Sequence, residues 1–167
     1  MSFTKFYKVS KEQFLTDCGK YSYITANDCY DNIELPKRAT SGSAGYDFYM
    51  PFSITLRPGG TCTVPTGIKF NVDQPGCFLM IVPRSGLGFK FQLGFANTVG
   101  IIDGDYFNNP DNEGHIMVRL VNRGPHVVHI EKGDAFCQGI IMPYFVTDDD
   151  NAQEKRIGGL GSTDKEA

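Results

Sequence analysis

The stretch FSITLRPGGTCTVPTGIKFNV, residues 52–72, decides the fold class. Phe52, Ile54 and Leu56 alternate with Ser53, Thr55 and Arg57, the period of a strand with one buried face. Pro58-Gly59-Gly60 then marks a turn. Beyond it, Ile68, Phe70 and Val72 alternate with Lys69 and Asn71. The same period returns at Ile116, Val118 and Leu120, and at Val128 and Ile130. Cys77-Phe78-Leu79-Met80-Ile81-Val82 is an unbroken apolar run, read as a strand buried on both faces. Short strands punctuated by Gly and Pro predict an all-β domain, a barrel or a jelly roll.

Size and composition bound the rest. With 167 residues the chain is one domain with a real core. No apolar run approaches the length of a membrane span, and MSFTKFYKVSKEQF has no apolar segment of signal-peptide length. The expectation is a soluble, non-secreted protein with no membrane partner, cytoplasmic, or nuclear or otherwise intracellular in a host if the source is viral. Five cysteines, an odd number without C-x-x-C spacing, argue against a disulfide framework and for a reducing compartment. His126 and His129 would point to opposite faces of an alternating strand, which argues against a metal pair. The net charge is −3 and no basic run exceeds two residues, so duplex nucleic acid is not the expected partner. Phosphates, if bound, need a few placed groups helped by a metal ion.

The ends differ from the middle. Ser10 with Gln13 matches a capping box, so KEQFLTDC carries a short helix. Residues 1–35 read as an N-terminal extension packed on the body, 36–147 as the β body, and 148–167 as a mobile Gly-rich tail.

Five segments carry more chemistry than turns need. In ATSGSAGYDFYM, residues 39–50, Asp47 is either an outward strand position or a metal-facing group. In PRSGLG, residues 83–88, Arg84 offers a planar charged fork, and Ser85 and Gly86 offer a hydroxyl and open amides for an anion. In GFANTVGIIDGDY, residues 94–106, a carboxylate, Asp103, stands at the lip of Gly100-Ile101-Ile102, with Tyr106 three residues on. Alone, that is also how a strand ends at a polar turn. KGDAFCQG, residues 132–139, is a turn into a strand carrying Gln138. RIGGLGST, residues 156–163, has one arginine and two hydroxyls in a Gly-rich tail, suited to closing over an anion or to a linker end.

In this order, on an all-β chain, ATSGSAGYD, PRSGLG, ANTVGIIDGDY, KGDAFCQ and RIGGLGST resemble the five motifs of the trimeric dUTP diphosphatases, the dUTPases. The resemblance runs from about Lys37 to Thr163. It implies a jelly-roll-like distorted barrel of the dUTPase type that hydrolyses dUTP to dUMP and pyrophosphate with Mg²⁺. That reaction limits uracil incorporation into DNA and supplies dUMP. By resemblance, Asp103 is the general base for a water attacking the α-phosphorus, partly desolvated by its apolar flank. Tyr106 would lie against the sugar C2′ and exclude a 2′-hydroxyl. Asn97 and the backbone through Gly100, Ile101 and Ile102 would read uracil, with Met117 lining the pocket. Arg84, Ser85, Gly86, Gln138, Arg156, Ser162 and Thr163 would hold phosphates, and Asp47 would hold Mg²⁺ through water.

The resemblance also implies a homotrimer with three shared sites. Motifs one, two and four would come from one chain, motif three from the next and the tail from the third. Two departures stand out. Leu160 occupies the place of an aromatic that stacks on uracil, in a tail segment one residue shorter than usual. The turn FNNPDNEG, residues 107–114, is longer by several residues, with Gly114 and His115 taken as the return to the family pattern. That turn is either a surface loop or a partner contact. Two alternatives remain: a dCTP deaminase-like enzyme of the same fold, which needs a glutamate at the pyrimidine C4, and a viral-type dUTPase with an added regulatory protein partner.

Overall fold

The computed structural model describes residues 4–21, 28–153, 156, 158 and 159. Leu160, Ser162 and Thr163, and with them most of the expected lid, lie outside the described residues.

The chain is built from short antiparallel strands, as the alternation predicts. In order they are β1 (Lys5–Lys8), β2 (Tyr46–Tyr49), β3 (Ile54–Leu56), β4 (Thr61–Pro65), β5 (Ile68–Asn71), β6 (Cys77–Pro83), β7 (Leu93–Phe95), β8 (Gly100–Ile102), β9 (Met117–Asn122), β10 (Val128–Ile130) and β11 (Ala135–Pro143). Two short helices interrupt them, α1 (Lys11–Lys20) and α2 (Ser85–Phe91). The strands form a four-stranded sheet β2-β11-β6-β8, a three-stranded sheet β4-β9-β7, and two ribbons, β1-β5 and β10-β3. The result is jelly-roll-like, without a closed barrel. Among the described residues no helix is long and apolar enough to cross a membrane.

The alternating residues do face inward: Ile54, Leu56, Ile68, Phe70, Val118, Leu120, Val128 and Ile130 are all core. Each such side chain contributes roughly 1.5–3 kcal/mol on burial. The apolar run of β6 is the exception. Leu79 and Ile81 are core, but Phe78, Met80 and Val82 are only half-buried. The strand is therefore not buried on both faces within one chain. Register puts Met80 between Ile140 and Ile101 on the outer face of the sheet, and Ile101 is exposed there.

The N-terminal segment adds both a strand and core side chains to the body. β1 pairs with β5, and Phe6, Val9, Phe14 and Cys18 enter the core. Ser10 caps α1, its Oγ accepting from the Gln13 amide at 3.1 Å. The return bond of a capping box is not made by Gln13, whose side chain donates to Asp17 at 2.9 Å. Instead the Ser10 amide donates to Glu113 Oε2 at 3.0 Å. The long turn thus caps the N-terminal helix.

Candidate active site

Motifs one, two and four meet at one end of the four-stranded sheet. β11 lies between β2 and β6, and register sets Gln138 opposite both Asp47 and Val82. Asp47 therefore stands on the outer face, and Arg84 Nε reaches its Oδ1 at 3.3 Å. Gly45 lies so close to this group that a Cβ there would collide with Gln138 Oε1. The Arg-Ser-Gly segment is not a free turn, as expected, but the entry to α2. Its first helical bond runs from the Gly88 amide to the Arg84 carbonyl at 3.2 Å, downstream of the Ser85 and Gly86 amides. The same locality holds Cys137, whose thiol is pushed well up by burial and by the nearby Asp47 charge.

Motif three runs along β6, and its acidic end lies away from Arg84. β8 runs antiparallel to β6, with Gly100 opposite Ile81 and Ile102 opposite Leu79. Asp103 follows Ile102, so it continues away from Arg84. From Leu79 to Arg84 the strand spans about 16 Å at roughly 3.3 Å per residue. Within one chain, Asp103 and Arg84 are thus at opposite ends of β6.

Asp103 is about half-exposed, so the Gly100–Ile102 flank does not bury it within one chain. Its partner is Arg156, whose Nη2 is 2.9 Å from Asp103 Oδ2 while Nε is 3.2 Å from Asp105 Oδ1. The guanidinium also sits 5.5 Å from the ring centre of Tyr106. Arg156, expected at phosphates of another chain's site, here bridges two carboxylates of its own chain. Gly159 is buried beside it, its amide donating to Asp111 Oδ2 at 3.2 Å.

Tyr106 is buried, only 5% exposed, in the short 3₁₀ turn after Asp103. Its hydroxyl donates to the His115 carbonyl at 3.0 Å and accepts from Asn112 Nδ2 at 2.8 Å. Burial pushes the Tyr106 pKa up, more than the Asn112 bond and the Arg156 charge lower it, so the hydroxyl keeps its proton. The His115 ring is fully buried. The Gly67 amide donates to its Nε2 at 2.7 Å, so the ring proton is on Nδ1, which donates to Asp17 Oδ2 at 2.6 Å. Burial alone would raise the Asp17 pKa, but hydrogen bonds from His115, Gln13 and Lys20 hold it at about 2.

The turn before β8 is the segment expected to read a base. The Ala96 amide donates to the Arg119 carbonyl at 2.9 Å, which lays this turn along β9, where Met117 sits half-buried. Val99 N–H closes onto the Asn97 carbonyl at 2.7 Å, and Thr98 adopts φ +68°. Gly100 packs on Ile81, where a Cβ would meet the Ile81 Cβ at 3.2 Å. Asn97 is exposed.

Comparison with known proteins decides the family. The dUTPase family model matches residues 31–163. The chain belongs to the dUTPase family. The deoxyuridine 5'-triphosphate nucleotidohydrolase of Lactococcus lactis subsp. lactis is 45% identical over 133 residues, 78% of this chain and 88% of that protein. The dUTPase of Streptococcus mutans has a TM-score of 0.67 and 35% identity, covering 86% of this chain and 98% of that one. A mutant dUTPase from phage phi11 of S. aureus, whose structure concerns coordination of a structural Mg(II) ion, matches at TM-score 0.59 over 74% of this chain and 92% of that one. At 19% identity it speaks to fold alone. The protein is therefore an enzyme, a nucleotide hydrolase on the dUTPase fold.

Mg²⁺, which the dUTPase family implies, has a limited protein donor set here. Among the described residues no three His, Cys, Asp or Glu side chains converge on a metal position. Asp47 is one carboxylate, already beside a guanidinium. That fits a cation that keeps waters and takes its remaining ligands from phosphates, and not one caged by protein.

The motifs did not point to Asp111 or Asn112, gave His115 only as the residue after the turn, and were silent on Asp17. Only the length of the 107–114 turn hinted at Asp111 and Asn112. Asp105, at the lip with Asp103, gains a role only through Arg156, which the two carboxylates share.

Proposed function

We propose that this dUTPase hydrolyses dUTP to dUMP and pyrophosphate at sites shared between copies of the chain. The reading rests on one observation: within one chain Asp103 and Arg84 stand at opposite ends of β6. Asp47, Arg84 and Gln138 form a phosphate half. In this reading Asp103 and Tyr106, beyond the far end of β8, belong to a second half that serves the sugar and the attacking water. A general base must lie within hydrogen-bond reach of its water, so a half-site from a second copy has to meet the phosphate half. The outer face of the sheet supports such a contact. Phe78, Met80, Val82, Ile140, Met142 and Ile101 leave it apolar and incompletely covered. A closed cyclic trimer covers all three faces alike and yields three equal sites.

In this reading Asp103 takes a proton from water as the water oxygen bonds to the α-phosphorus. The bond from that phosphorus to the bridging oxygen breaks, and pyrophosphate leaves. Arg84 and the Ser85 and Gly86 amides offset charge on the phosphates, with Gln138 beside them. Arg156 leaves its two carboxylates to join the phosphates, with Ser162 and Thr163. Asp47 would hold Mg²⁺ through water, and the ion supplies charge neutralisation on the phosphate chain. Tyr106 presents a wall to the sugar C2′. The turn before β8, with Met117 and with Leu160 from the tail, encloses uracil. The amide and carbonyl groups of that turn discriminate because a mismatched base leaves them unpaired.

Pyrophosphate release from dUTP, compared with dTTP, dCTP and UTP, with and without EDTA, tests the reading. dUTP alone is the expected substrate, with loss of rate in EDTA. A dCTP deaminase needs a glutamate at the pyrimidine C4, and Ala96-Asn97-Thr98-Val99 has none; ammonia release from dCTP would overturn the proposal. A regulatory protein contact through the long turn has less support, because Asn109, Asn112 and Glu113 spend their side chains on this chain itself.

A further inference from the structure

The turn 107–114 is longer than the motif needs, and it buries two asparagines, an unusual use of polar side chains in a turn. Asn109 Nδ2 donates to the Tyr106 carbonyl at 2.8 Å and to Asn112 Oδ1 at 2.9 Å. Asn109 Oδ1 accepts the Asp111 and Asn112 amides, both at 3.1 Å. Asn112 Oδ1 also accepts the Gly114 amide at 3.0 Å, which leaves its Nδ2 aimed at the Tyr106 hydroxyl. Gly114 closes the loop at φ +79°, where a Cβ would lie 2.5 Å from the Tyr106 carbonyl oxygen. The second partner of the hydroxyl, the His115 carbonyl, is held in turn: its residue is fixed by Asp17 of α1 and by the Gly67 amide. Between them Asn109 holds the Tyr106 carbonyl and Asn112 holds its hydroxyl.

We propose that Asn112 is a positioning residue for sugar discrimination, pinning Tyr106 so that its ring cannot yield to a 2′-hydroxyl. This rests on the reading of Tyr106 as the wall against C2′. Steric exclusion works only if the wall resists displacement. An unpinned ring can lean off its rotamer for about a several-fold penalty, too little to reject a ribonucleotide strongly. Each hydrogen bond at the hydroxyl adds on the order of a five-fold cost to that motion. The long turn and α1 thereby stiffen the selectivity wall from behind, at the end of the ring away from the substrate.

The test compares kcat/KM for dUTP and UTP in the full chain, with Asn112→Ala, Tyr106→Phe and the double variant. Asn112→Ala should raise kcat/KM for UTP in absolute terms and lower the dUTP:UTP ratio on the order of five-fold. Tyr106→Phe, which keeps the ring but loses both hydroxyl bonds, should lower the same ratio. The double variant should lose no more than Tyr106→Phe alone, because both changes remove one shared bond. A merely structural role would reduce both substrates alike and leave the ratio unchanged. If Asn112→Ala does not fold, Tyr106→Phe carries the test, and an unchanged ratio there overturns the proposal. Wild-type protein that does not hydrolyse dUTP would sink the underlying function instead; wild-type preference for dUTP that survives both variants sinks only the pin.

Discussion

Arg156 closes on Asp103, Nη2 to Oδ2 at 2.9 Å, and the same guanidinium holds Asp105 at 3.2 Å. The carboxylate proposed as general base is thus covered by a cation from the tail of its own chain. Both carboxylates are about half-exposed, so each pair is worth about 0–1 kcal/mol. A bound triphosphate offers more negative charge, and the arginine can transfer to it at small cost. Arg156→Ala should therefore leave the fold intact and raise KM for dUTP roughly ten-fold or more, through the lost charge-assisted bonds. A dUTP titration on the purified variant checks this; an unchanged KM would remove Arg156 from the phosphate site.

Asp103→Asn should abolish turnover while dUTP still binds, since the amide fills the same space but takes no proton. Loss of a general base costs on the order of 10²–10⁴-fold. Single-turnover rates alongside equilibrium binding of dUTP separate the two effects.

Mixing inactive variants tests the shared site. Asp103→Asn and Arg84→Ala should each be nearly inactive as pure oligomers. Co-refolded in equal amounts, roughly a quarter of sites regain an intact Arg84 from one chain and an intact Asp103 from another. No recovery in the mixture would mean that a single chain supplies both halves.

Deleting residues 156–167 should cost little stability. The described contacts removed are the Arg156 pairs, its approach to the Tyr106 ring and the Gly159 amide bond to Asp111, few beside the strand core. Activity should nonetheless fall sharply, because a closing tail positions the phosphates and excludes water. Thermal melting and pyrophosphate release on the truncated chain decide it, and full activity would end the idea of a lid.

Asp17 predicts an acid-sensitive anchor. Its folded pKa of about 2 lies below the ordinary 3.8, so its contribution is complete above the ordinary value and is lost as pH falls toward 2. A shift of that size is worth on the order of 2 kcal/mol. The stability gap between wild type and Asp17→Asn should be full near neutrality and narrow as pH drops from about 4 to about 2. Urea unfolding across that range measures it, and a gap independent of pH would show that Asp17 acts through packing alone.

The strand pattern was legible in the sequence because it is local. Alternation at residues 52–57, 68–72 and 116–120 depends only on period, and the burial of Leu56, Phe70 and Leu120 follows from it. Ser10 announced the helix that it caps. What tertiary structure decided are the relations between distant residues. Asp17 and His115 stand 98 positions apart, and no spacing rule links a helical aspartate to a histidine after a turn. FNNPDNEG reads as a solvent loop because asparagines prefer turns; only the approach of Tyr106 gives Asn109 and Asn112 enough partners to be buried there. The apolar run of β6 misled for a similar reason. Hydrophobicity states that a face will be covered, but not by what, and within one chain nothing described fully covers Phe78, Met80 and Val82. The separation of Asp103 from Arg84 likewise came from the antiparallel register of β8 on β6, which carries the chain away from Arg84 before it reaches Asp103.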